Sequence, residues 1–445
     1  MFIPEKIFQV GRNTMYDTEN AGKRMYEFAG QIFPYFRSLT GEGVRKTLDD
    51  IEKAITPKLN RYEIPTGTQV FDWTVPKEWV IREAFIENEA GEHIIDVKDH
   101  NLHVLGYSTP VDEWVSLSEL KEHVYTEPGQ KHVIPYVTSY YKERYGFCMS
   151  QDQLDSLPEG RYHMFIDSEL IDGNLTLADT VIPGRLDREI LFSSYFCHPS
   201  MADNECSGLA LMCELINYVS SFEDRKYTYR FVFNPETIGS IAYLSINDNL
   251  KNLKDKLKAG FVLSCVGDDK AYSMIESRYA DTVADRLLKK ELSGRDKVTV
   301  YKFSERGSDE RQYNAPGVEL PVVCFCRSKF GLFPEYHTSD DNMDFVSPEG
   351  FAGSFDVMKN IIDSLEGSDY YRMNVLCEPQ LGKRGLYSTI SRKGIYDKIL
   401  VQRDVITYCD GKNSIEDLAE RIGVPVSHIE EIIDELKNAG LLEEF

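Results

Sequence analysis

Four side chains able to bind a metal or move a proton sit in loops that follow strand-like runs. Residues 189–219 read EILFSSYFCHPSMADNECSGLALMCELINYV. An apolar run at 190–196 predicts a buried strand, and His198 and Asp203 follow it in a short loop. From Gly208, the residues Leu209, Met212, Leu215, Ile216 and Val219 recur at helical spacing. In YRFVFNPETIGSIAYL (229–244) the strand pattern stops at Pro235 and Glu236 comes next. LPVVCFC (320–326) predicts a further buried strand, and FPEYHTSDDNMDFV (333–346) places His337 in the loop after it. Taken singly, these are ordinary loop histidines and a first-turn glutamate favoured by the helix dipole. Taken together, they stand at the carboxyl ends of strands, where an open α/β sheet presents its site. Two imidazoles and a carboxylate hold zinc and leave a position for water, and a separate carboxylate can take that water's proton.

The motifs CHPSMADNECSG, NPETIGS and EYHTSDDN carry a resemblance to the M28-type zinc aminopeptidases. It is closer still to bacterial aminopeptidase-like proteins with an inserted β-rich domain and a C-terminal winged helix. The resemblance implies that His198 and His337 are metal ligands, that Asp203 matches the zinc-bridging aspartate, and that Glu236 is the general base. The chain departs from the family at two ligand positions. Thr237 stands where a second glutamate is a ligand, and Ser264 or Cys265 stands near a usual aspartate, with Asp268 offset. One zinc is therefore expected on His198, Asp203 and His337, and two only if other ligands complete the pair. By the same match Asp309, Glu310 and Arg311 lie near the site. Together with Tyr336 they are the expected substrate contacts.

The elements that must position these residues follow from texture. The fold class expected is α/β: a zinc-exopeptidase-like, mostly parallel mixed sheet sandwiched by helices. Residues 1–60 carry two helical patterns, and 185–367 alternate strand and helix patterns; together they form one discontinuous catalytic domain. Residues 61–184 are short β-rich runs between turns and form an inserted β-rich domain. It holds all three tryptophans (Trp73, Trp79, Trp114) and the tyrosines Tyr136, Tyr140, Tyr141 and Tyr145, which read as core. Residues 368–445 form a winged-helix domain. In it NSIEDLAERIGV opens on a cap signal at Ser414 and ends at Gly423, and a second helix ends at Gly440.

The chain has 445 residues, 42% of them hydrophobic, which is ample for two or three cores. No apolar run is long enough to span a membrane, and the first residues lack a secretory apolar stretch. Nine cysteines scattered through apolar runs read as reduced thiols of a cytoplasmic protein. Cys324 and Cys326 are expected to point to opposite faces of their strand and to be poor joint ligands. The net charge of −23 disfavours nucleic acid and anionic membranes as partners. The second helix of the tail carries Glu430, Glu431, Asp434 and Glu435, which fits a protein-interaction or dimerisation module better than a DNA reader.

The function expected is a zinc-dependent hydrolase of aminopeptidase type, acting on a small peptide or amide. One rival is an amidohydrolase acting on a non-peptide amide such as an N-acylated sugar. The other is a catalytically degenerate scaffold that binds a ligand or partner.

Overall fold

The computed structural model describes residues 16–140, 142–386 and 395–445. Tyr141 and the first fifteen residues, on which part of the reading above falls, lie outside the described residues. The large sheet has eight strands. In chain order they are β1 (Asn60–Pro65), β2 (Asn174–Ile182), β3 (Glu189–Tyr195), β4 (Thr228–Asn234), β5 (Leu257–Leu263), β6 (Tyr272–Ile275), β7 (Val298–Tyr301) and β8 (Val322–Cys326). In space they run β1-β2-β4-β3-β5-β8-β6-β7. β4, β3, β5 and β8 are mutually parallel, while β1, β2 and β6 each pair antiparallel with a neighbour. Every residue of β3 is buried, because a central parallel strand is covered on both faces.

Helices Ala21–Ile32, Glu42–Ala54, Gly208–Ser220, Val283–Leu292 and Pro348–Gly367 bury their apolar stripes on one face of the sheet. Helix Ile238–Ser245 and the inserted domain cover the other face, in a second core. The expected insertion boundaries of 61 and 184 move inward. β1 and β2 pair with each other in the large sheet, so they bracket the insert and do not belong to it. That pairing joins residues more than a hundred positions apart, and local β texture does not report it.

The insert's own four-stranded antiparallel sheet is built from Glu78–Asn88, His93–Asp96, Val111–Ser116 and Arg161–Ile171. Its tryptophans do not share one fate. Trp79 is 4% exposed, as expected of core, but Trp114 is 42% exposed. Trp114 stacks on His163 at 5.1 Å in a ladder that includes Phe85, Phe165 and His93, so the ring faces are largely occupied by one another.

In the tail, Ser414 caps helix Ile415–Ile422 by accepting from the Asp417 amide, and Gly423 ends it in the left-handed conformation. The tail docks on the underside of the large sheet. Arg185 forks onto Glu444, and buried Lys258 donates to the Gly411 and Phe445 carbonyls. All nine cysteines are free. Cys324 and Cys326 correct the expectation stated for them. Residues two apart on a strand share a face, and their sulfurs lie 3.7 Å apart. Among the described residues no helix is long and apolar enough to cross a membrane.

Candidate active site

The loops after β3, β4, β5 and β8 meet at the carboxyl edge of the sheet. Each holds a non-glycine residue at positive φ: Ser200 (47°), Thr237 (66°), Cys265 (52°) and His337 (56°). Such residues cost of order 1–3 kcal/mol each, and they cluster where function demands a particular backbone. Thr237 is the most demanding, since a β-branched side chain fits this region poorly. Two bonds secure its turn: Ile238 N donates to Glu236 O at 2.8 Å, and Thr237 N donates to Asp309 Oδ1 at 2.7 Å.

His198 and His337 face each other with ring centroids 5.1 Å apart. His198 Nε2 lies 3.9 Å from Glu236 Oε2. Burial lowers both imidazoles, His337 to about 4 and His198 well below the usual range, so both are neutral at neutral pH, the form that ligates metal. Burial, then the Asp309 carboxylate, pushes the Glu236 carboxyl up to about 8 against the pull of Arg311. The Glu236 side chain keeps 23% of its surface open. Arg37, on the chain leading out of helix Ala21–Ile32, donates through Nε to the His198 carbonyl at 3.0 Å and fixes that loop from behind.

Asp203 lies in a π-helical turn, Ala202–Ser207, leading into helix Gly208–Ser220. Its Oδ1 accepts from Gly267 N at 2.7 Å, while its buried Oδ2 has no partner. Its own amide and that of Asn204 donate to Asp341 at 2.6 and 3.0 Å. The side chain that faces His337 is Asn204, whose Oδ1 accepts from His337 Nε2 at 3.1 Å. Asn204 Nδ2 donates to the Tyr195 hydroxyl at 2.7 Å, and Tyr195 pairs with the Ser264 hydroxyl at 2.6 Å. A chain of neutral hydrogen bonds thus runs from Ser264 to His337.

The donor chemistry fits one metal ion: two neutral imidazoles, and a buried carboxylate oxygen left without a partner. Thr237 and Ser264 supply no carboxylate for a second ion. As the side chains stand, no three His, Cys, Asp or Glu among the described residues group closely enough to hold an ion.

The expected substrate contacts divide. Asp309 and Glu310 are fully buried; both oxygens of Asp309 are taken by the scaffold, while Glu310 Oε2 has no partner. Asp309 accepts from Asn234, Thr237 and Ser240, and Glu310 Oε1 accepts from the Gly307 and Ser308 amides. Arg311 reaches the Thr237 hydroxyl through Nη2, and its Nε is without a partner. Tyr336, half-buried, stacks on the His337 ring at 3.9 Å. Asn204, Tyr195, Arg37 and Tyr136 were not read from sequence as site residues. Their signal is three-dimensional: each is an ordinary residue type, brought to the site by segments far apart in the chain.

Two predictions follow from these surroundings. Gly208 has no room for a methyl group, since a Cβ there would meet Glu205 Oε1 at 2.1 Å, Ser194 Oγ at 2.2 Å and Leu263 O at 2.7 Å. Gly208→Ala is expected to cost roughly 1–3 kcal/mol in urea unfolding, as overpacking typically does. The second concerns pH. Burial raises Asp203 and Glu205 well above the carboxylate range, Asp341 to about 7 and Glu236 to about 8. The folded chain therefore keeps protons that the unfolded chain has released. Stability from such groups is present at low pH and lost as pH rises through their folded values. The histidines His100, His103, His198 and His337, lowered by burial, oppose the trend only until their unfolded imidazoles are neutral, about a unit above pH 6.5. Buried Lys258, lowered to about 6, opposes the trend with one group. The urea midpoint of the metal-free protein is expected to fall between about pH 6.5 and 8.5; a flat or rising midpoint would contradict these protonation states.

The fold and the residues at its strand ends define an aminopeptidase-like α/β protein with a C-terminal winged helix. A family model described as a domain of unknown function (DUF4910) matches residues 26–368, and a winged helix-turn-helix model matches 369–444. The chain belongs to the DUF4910 family. It is 42% identical over 432 residues to a Clostridium acetobutylicum protein named "Putative polysaccharide biosynthesis protein with aminopeptidase-like domain", covering 96% of this chain and 98% of that one. A crystal structure of a "putative peptidase" from Clostridium acetobutylicum superposes with a TM-score of 0.78 at 41% identity, again over 96% and 98% of the two chains. The zinc aminopeptidase BSAP of Bacillus subtilis shares the fold at a TM-score of 0.58 and 12% identity, over 80% of this chain and 96% of that one.

Proposed function

We propose that this chain is a zinc-dependent hydrolase of aminopeptidase type that cleaves an amide bond. The observation that carries the proposal is the facing pair of neutral imidazoles, 5.1 Å between centroids, with Glu236 Oε2 3.9 Å from His198 Nε2, on loops with positive-φ backbones. His198 and His337 hold the ion, with the partnerless oxygen of Asp203 as the carboxylate ligand. When bound, zinc lowers the pKa of its water and polarises the scissile carbonyl. Glu236 is the proton carrier. It accepts the water's proton, and its upward-shifted carboxyl holds that proton until the leaving amine takes it. Arg311 and Tyr336 line the approach and orient the substrate.

Two observations favour other readings. The name of the Clostridium relative points to polysaccharide synthesis, which supports an N-acylated sugar as the amide cleaved. The hydrogen-bonded chain from Ser264 to His337 supports a scaffold that binds without turnover. Amino-acid anilides screened against N-acylated sugars, with zinc supplied, separate the first two. Turnover of neither class in a zinc-loaded protein would favour the scaffold.

The winged helix is proposed as a protein-interaction or dimerisation module, on the strength of exposed Glu430, Glu431 and Asp434 along its second helix. The free cysteines support a reducing, cytoplasmic setting.

A further inference from the structure

We infer that Tyr136, carried by the inserted domain, is a positioning residue for the histidine pair, so that metal binding depends on the insert. The inference rests on the proposal that His198 and His337 hold zinc. Tyr136 touches both rings. Its centroid lies 5.3 Å from His198 and 5.1 Å from His337, edge-on to the latter at 89°. Its amide donates to the His337 carbonyl at 2.8 Å.

The segment leading to it straps down the whole His337 loop. Gln130 donates to the Pro334 carbonyl at 2.9 Å. His132 Nε2 meets Asp340 Oδ2 at 2.8 Å. Ile134 N donates to Ser339 Oγ at 3.0 Å, and Ser339 N donates back to Ile134 O at 2.9 Å. Pro135 and Thr338 form an isolated β-bridge. These contacts surround His337, which holds a left-handed backbone at φ 56° without glycine's freedom. A residue in that conformation persists only where its surroundings enforce it. Here the enforcing surroundings come from the insert.

Tyr136 is itself braced from within the insert. Its hydroxyl pairs with that of Tyr140 at 2.7 Å. Tyr140 packs edge-on against Tyr107 at 5.2 Å, and Tyr107 stacks on Trp79 at 5.6 Å. Trp79 is anchored in turn by its indole N–H to the Ser108 carbonyl at 2.9 Å. An aromatic chain thus runs from the insert's core to the two imidazoles.

Groups that orient metal-binding histidines typically change affinity by 10–100-fold when removed. The test is the zinc dissociation constant, measured by competition with a chromophoric chelator, alongside the urea midpoint. Tyr136→Ala is expected to weaken zinc about 10-fold or more, and Tyr136→Phe, which keeps the ring, to stay within about threefold of the parent. A double variant, Gln130→Ala with His132→Ala, alters only the outer face of the strap and guards against a Tyr136→Ala protein that fails to fold. It is expected to weaken zinc about threefold with little change in the midpoint. Parent-like zinc affinity in folded Tyr136→Ala, or in the double variant should the former not fold, overturns the inference, provided His337→Ala loses zinc. Parent-like affinity in His337→Ala overturns the metal-site proposal itself, and the inference with it.

Discussion

Glu236→Gln is expected to bind zinc as the parent does and to lose about a thousandfold in kcat on whatever amide the parent cleaves, the middle of the range for losing a general base. The amide of glutamine keeps the size and the hydrogen-bonding reach of the carboxyl but cannot carry a proton away. Glu236 lies 3.9 Å from His198, near the imidazole pair but outside the proposed ligand set, so the ion should be indifferent to the change. Measuring kcat and KM separately matters. A loss confined to KM would mark Glu236 as a binding group, and unchanged kcat would remove it from the chemistry. The shift of its carboxyl to about 8 adds a second readout. A base must be ionised to act, so kcat/KM should rise with pH up to the point where Glu236 is free of its proton, and that limb should be missing in the glutamine variant.

The second large effect belongs to the histidines. His198→Ala and His337→Ala are each expected to lower zinc affinity at least a hundredfold, since each removes one ligand from a site with few. The two should differ in stability. His198 is 3% exposed, so truncating its side chain leaves a cavity. His337 is half-buried at the site's mouth, and its replacement should shift the urea midpoint less. Equal zinc affinity in either variant would exclude that histidine from the ligand set.

Much of this site was legible because its loops are signalled locally. A continuous apolar run marks a doubly covered strand, and β3 shows one. Pro235 stops β4 one residue before Glu236. The periodic residues after Gly208 gave the helix that runs back over the sheet. The winged helix was legible for the same reason, from a cap at Ser414 and glycines at 423 and 440.

What was not legible is direction and distance. Spacing places Asp203 and Asn204 in the same loop. Which of the two faces the histidines is decided by the π-helical turn, by Asp341 from another loop and by the Gly267 amide. Asp309 and Glu310 were expected near the site from the family match, and burial could not be read there: Asp309 and Glu310 Oε1 accept from scaffold donors. Tyr136 sits in a β-rich stretch where tyrosines usually fill core. Only the pairing of its strap with residues 334–340, two hundred positions on, brings it to the site. The insert's true limits were hidden likewise, because β1 and β2 find each other across it.

The most direct measurement is the metal content of the purified, unsupplemented protein, by elemental analysis per chain. One zinc, lost in His198→Ala and His337→Ala, is the expected result for a mononuclear hydrolase built on this sheet. A folded protein that takes up no zinc even when it is offered would contradict the proposal, and would identify the hydrogen-bonded chain from Ser264 to His337 as the site's resting structure.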